Sequence, residues 1–80
     1  MPTVFRALGY RFFFYSNEGN PREPVHVHAR GNGGEAKLWV EPEVSIAYSK
    51  GLTARQLREL AEITRTRSAE ISEAWHGHFG

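Results

Sequence analysis

The chain has no cysteine, which excludes a disulfide scaffold and every thiolate metal site. No apolar run approaches the ~20 residues a bilayer-spanning helix needs. No signal peptide is seen ahead of the first strand, so no membrane role and a cytoplasmic setting are expected. Charge of one sign is not in excess: the formal net charge is +1, so any basic surface must be a local patch. The sequence has no P-loop, dinucleotide-binding fingerprint, nucleophile elbow, HExxH motif or zinc-finger spacing. What remains is an ordinary globular composition, 40% hydrophobic and 24% charged over 80 residues. That length makes one domain, residues 1–80, with a modest core that buries only ~60% of the unfolded surface.

The informative stretch is Glu23-Pro24-Val25-His26-Val27-His28-Ala29. Its apolar residues alternate with two histidines, the period of a half-buried strand, and successive side chains on a strand point to opposite faces. The valines therefore turn one way and His26 and His28 the other. Upstream, Met1-Pro2 precedes a short apolar strand over residues 3–6, with Pro2 read as an edge residue. Leu8-Gly9 turns into an aromatic strand over residues 10–15. Residues 16–24 read as a loop. Downstream, Arg30-Gly31-Asn32-Gly33-Gly34 is a hairpin signal. It returns into residues 35–40, with Ala36, Leu38 and Val40 on one face and Glu35, Lys37 and Trp39 on the other. Residues 41–43 break that strand, and residues 44–48 predict the last one.

Gly51 closes the β half. Thr53 is an N-cap with Gln56 completing a capping box, and Leu52 can staple onto Leu57. An apolar stripe of Leu57, Leu60, Ala61, Ile63, Ile71, Ala74 and Trp75 predicts one long helix to about residue 75 or 76, with Gly77 near its end. Thr64, Arg67 and Ser68 interrupt the stripe, so a break near Thr66 is the alternative. Arg55–Glu59 and Arg58–Glu62 have the spacing of surface pairs. The pattern predicts a two-layer α+β fold: a small antiparallel sheet of four to five strands packed against one long C-terminal helix.

If the helix covers the valine face, the uncovered face presents His26, His28, Lys37 and Trp39. A neighbouring aromatic strand would add Arg11 and Tyr15. Cations hold phosphate, rings stack on unpaired bases, and histidine moves protons near neutral pH. A metal-independent ribonuclease would use His26 or His28 as general base or acid, with Lys37 or Arg11 on the phosphate. This reading needs no cofactor. The alternative is a metal site, because His-x-His on a strand supplies two ligands for a zinc-like ion. Glu23, Glu35, His76 or His78 would complete it. A third reading is a non-catalytic interaction module, docking a second chain at the stripe's gap or at an open sheet edge.

Several segments together carry a resemblance: Met1-Pro2-Thr3, residues 10–19 (YRFFFYSNEG), Pro24-Val25-His26-Val27-His28, Glu35-Ala36-Lys37-Leu38-Trp39 and Ala74-Trp75-His76. The chain resembles the small prokaryotic family catalogued as domain of unknown function 4160. Members more often read Pro-Pro-His ahead of the motif; here a valine stands between Pro24 and His26. The family's genes often lie beside those of another small family, in an arrangement resembling toxin–antitoxin pairs. The resemblance therefore implies a toxin–antitoxin-like component with a small protein partner encoded nearby. A homo-oligomer and RNA are the other partners to consider. It also singles out the aromatic strand, Asn17, His26, His28 and Trp75, and gives none of them a mechanism.

Overall fold

The computed structural model describes residues 3–17 and 23–80. The edge role read for Pro2 and the middle of the loop over residues 16–24 lie outside the described residues. Five strands form one antiparallel meander, β1 (Thr3–Ala7), β2 (Tyr10–Phe13), β3 (His26–Gly31), β4 (Gly34–Trp39) and β5 (Ser45–Lys50), in that order across the sheet. Two turns set the first and third pairings. Leu8 and Gly9 have φ of 51° and 82°, and Asn32 and Gly33 have 51° and 85°. Positive φ at both central residues makes two-residue hairpin turns whose twist matches the strands they join. The turns also fasten to each other, because the Asn32 side-chain amide donates to the Leu8 carbonyl at 3.0 Å. Gly31 is required beneath them: a Cβ there would stand 2.1 Å from the Gly9 carbonyl oxygen.

The helical layer corrects the expectation of one long helix. There are two helices, α1 (Ala54–Thr66) and α2 (Ser68–Phe79), and Gly77 lies inside the second. The capping box is present, with the Thr53 hydroxyl accepting from Gln56 N–H at 3.1 Å and the Gln56 side chain accepting from Thr53 N–H at 2.8 Å. The bend falls at Arg67, with φ −109° and ψ 22°. Hydrogen bonds still cross it, from Arg67 N–H to the Ile63 carbonyl and from Ile71 N–H to the Arg67 carbonyl, each at 3.0 Å. Two contacts explain the bend. The buried Thr64 hydroxyl donates back to the Leu60 carbonyl at 2.7 Å, a bond that bends helices. The Arg67 guanidinium lies 3.5 Å from the Phe5 ring centroid and pairs with Glu70 at 2.8 Å. The polar residues that interrupt the apolar stripe are thus where the rod turns onto β1. Thr64 is fully buried, so the stripe has no open gap there.

The core lies between the layers. Phe5, Phe12, Val27, Ala29, Ala36 and Leu38 rise from the sheet to meet Leu60, Ala61, Ile71 and Trp75. The alternation read in β3 and β4 therefore names the covered face correctly. The aromatic strand is shorter than expected, ending at Phe13, and Phe14 turns out of it to pack against Trp75 at 5.2 Å between centroids. The last strand begins one residue later than expected and ends two later, at Lys50.

Candidate functional site on the histidine-bearing face of the sheet

Cross-strand register decides which side chains meet on the opposite face. Phe13 pairs with His28 and His28 with Lys37. Lys37 then pairs with Tyr48, and His26 with Trp39. The two imidazoles project together as expected, with ring centroids 5.3 Å apart and edge to face. They do not stand in the open. His26 is 0% exposed and His28 6%, which corrects the expectation of an uncovered histidine face.

The cover has a specific origin. Trp75, from the end of the chain, comes within 4.8 Å of the His26 ring, and Trp39 closes the other side at 5.4 Å. The His26 Nδ1 hydrogen bond to the Pro24 carbonyl, at 3.0 Å, requires the proton on Nδ1 and leaves Nε2 of a neutral ring as an acceptor. His28 stands among Phe13 at 5.6 Å and Tyr15 at 4.6 Å. Lys37 sits with its Nζ 4.4 Å above the Trp39 ring and pairs with Glu23 at 3.2 Å. The other candidates divide. Tyr15 and Trp39 join the cluster, and Arg11 lies one row away with its guanidinium 4.3 Å from the Phe13 centroid. Asn17 lies in the exposed turn beyond Tyr15. Among the described residues no group of three or more histidine, cysteine or carboxylate side chains is placed to hold a metal ion. Of the carboxylates considered as ligands, Glu23 faces Lys37 and Glu35 faces Arg30.

The other half of this face is charged, with Arg6, Arg30 and Lys50 exposed and Arg11 and Glu35 half-buried. Arg6 lies directly opposite Arg11, Arg11 opposite Arg30, Arg30 opposite Glu35 and Glu35 opposite Lys50. One row thus crosses all five strands, about 19 Å at the usual inter-strand spacing. Four of its members are cations and one is a carboxylate. Like charges placed directly opposite destabilise a sheet, so the stretch Arg6–Arg11–Arg30 works against the fold, while Glu35 is flanked by opposite charges. Among the described residues Arg30 gains a partner in it, donating to Glu35 at 2.8 Å and 3.3 Å. That hydrogen bond holds the Glu35 carboxyl below its ordinary range. At the end of the row, Arg30, Glu35 and Lys50 line a shallow groove of about 400 Å³ over the glycines of the second turn and Gly51. Tyr48, 49% exposed, stands one row in, beside Lys37. By contrast, α1, α2 and the bend between them carry Arg55, Arg58, Arg65 and Arg67 against Glu59, Glu62, Glu70 and Glu73, one for one.

Arg6, Arg30, Tyr48 and Lys50 were not candidates from sequence. A signal for part of the row existed: two-residue turns at Leu8-Gly9 and Asn32-Gly33 force Arg6 against Arg11 and Arg30 against Glu35.

With this geometry described, the comparison with known families decides the relationship. A family model for a domain of unknown function, DUF4160, matches residues 9–76. The chain belongs to that family. No curated protein and no solved structure matches it. The DUF4160 match spans β2 to β5, α1 and all but the last turn of α2, and so takes in both halves of the face except Arg6. No helix among the described residues is long and apolar enough to cross a membrane.

Proposed function

We propose that this DUF4160 protein is the RNA-contacting member of a toxin–antitoxin-like pair, and that single-stranded RNA lies across the charged half of the histidine-bearing face of the sheet. The observation that carries the reading is the row Arg6–Arg11–Arg30–Glu35–Lys50. Repelling cations held side by side lower stability, and a polyanion along the row turns that repulsion into binding energy. Rings beside the row suit unpaired bases, since stacking tolerates any sequence. Tyr48 is the exposed ring, with Trp39 and Tyr15 half-buried behind it. The buried histidines hold the aromatic half in shape, while the charged half makes contact. The protein partner rests on the gene arrangement of the family it resembles.

The test is binding of a short oligouridylate across a range of salt. Arg6→Gln and Arg30→Gln should each flatten the slope of log K against log salt by about 0.7. Tyr48→Ala should weaken binding about tenfold at any salt. Salt-independent or absent binding by the wild type removes the proposal. The same samples, run on a gel after incubation, examine cleavage by His28 with Lys37. Scission that disappears in His28→Gln supports that chemistry, and uncut RNA removes it.

A further inference from the structure

The two edges of the sheet are finished differently. On β1, Arg6 sits within the strand, the pairing with β2 is irregular between Thr3 and Phe5, and Arg67 of the helical layer lies over Phe5. A charge, an irregularity and a covering side chain are the devices by which edges avoid further pairing. On β5 every residue is exposed, including Ile46 at 37% and Tyr48 at 49%. Residues 45–49, Ser-Ile-Ala-Tyr-Ser, contain no charge, no proline and no glycine. Its pairing with β4 shifts between Lys37 and Leu38, so the strand curves, yet no charged group stands guard before Lys50.

We infer that the β5 edge pairs, antiparallel, with the β5 edge of a second copy of this chain. The charges on either side of the strand select that occupant and that direction. Glu43 precedes β5 and Lys50 ends it, both exposed. Antiparallel pairing about the middle of the strand brings Lys50 of each copy toward residues 43–46 of the other, placing opposite charges at both ends of the seam. A parallel arrangement would set lysine beside lysine, and a closed two-fold pair of identical edges is antiparallel in any case. The two-fold axis of such a pair stands perpendicular to the sheet. Both copies therefore keep their helices on one side and their rows of arginines on the other, making a ten-stranded platform. This inference does not depend on RNA.

Sedimentation equilibrium of the full chain without RNA tests it. The wild type is expected at twice the monomer mass at micromolar concentration, with the outward-pointing backbone amides of β5, those not bonded to β4, protected from exchange only where dimer forms. Ile46→Lys places like charges across the seam twice over and should weaken association about tenfold. Glu43→Lys and Lys50→Glu should each weaken it, and the two together should restore it. These surface positions lie outside the core, so the swap remains readable if Ile46→Lys alters folding. A monomeric wild type overturns the inference and leaves the edge to a different protein. A dimer indifferent to these changes overturns it equally, since its seam lies elsewhere.

Discussion

The histidine-bearing face of the sheet has two halves built on the same strands with the same alternation, and they have opposite characters. Where β3 begins, His26, His28 and Trp39 are closed in by Trp75, Tyr15 and Phe13. Where β3 ends, Arg30 and its neighbours Arg6 and Lys50 reach water, beside turns that bring no cover. The difference teaches that a period of two assigns a side chain to a side of the sheet and says nothing about what lies over it. Cover comes from distant chain, here Trp75 in the last turns of α2. The aromatic half is packed into the fold, and the charged half is left facing water.

That division can be broken, and the largest effect belongs to the aromatic half. Trp75→Ala removes a ring that touches His26, Phe14 and Phe79. It should cost about 4 kcal/mol, close to 20 °C in thermal midpoint for a domain this small. Circular dichroism melting checks it. His26→Ala comes next, at about 2 kcal/mol, by emptying a buried position and orphaning the Pro24 carbonyl. RNA affinity of the still-folded fraction should not change. Lost binding with unchanged stability would reverse the roles of the two halves.

In the charged half the sign of the stability change flips. Arg6→Gln relieves repulsion against Arg11 and should raise stability by a few tenths of a kcal/mol, while lowering affinity for oligouridylate. Urea titration and binding on one sample read both. A clear loss of stability would mean that contacts of Arg6 within the fold outweigh its repulsion with Arg11.

The smallest effect is the pH dependence of Glu35. Its folded pKa is depressed, by the Arg30 hydrogen bond first and then by the positive charges around it. The stabilisation is therefore present above the unfolded carboxylate value, roughly 4.3, and is lost as pH falls through the lower folded value. The Glu35 carboxyl chemical shift should titrate below the ordinary range, and Arg30→Gln should return it there.

Much of this was legible in the residues themselves. Alternation in Val25–Ala29 and Ala36–Val40 gave the core face, and Thr53 with Gln56 gave the start of α1, because both signals are local. The bend at Arg67 was less so: Thr64 looked like a flaw in an apolar stripe, but its hydroxyl is satisfied within its own helix and buries without cost to the stripe. The row of arginines was only half legible. The two tight turns fix Arg6 with Arg11 and Arg30 with Glu35 by counting alone. The loop between β2 and β3 and the extra residue in β5 set the other two pairings, and no count along the chain reaches across them. The burial of His26 was out of reach for the same reason, since Trp75 lies 49 residues further on.

The clasp between the two hairpin turns brings one last consequence. Asn32 is followed by Gly33, the dipeptide in which a backbone nitrogen most readily attacks the side-chain amide and expels ammonia. Hydrolysis of the ring would leave a carboxylate where a donor now holds the Leu8 carbonyl, setting oxygen against oxygen. Slow chemical ageing would thus loosen the corner where the first hairpin meets the second, and stored protein would carry the mark as a single added acid.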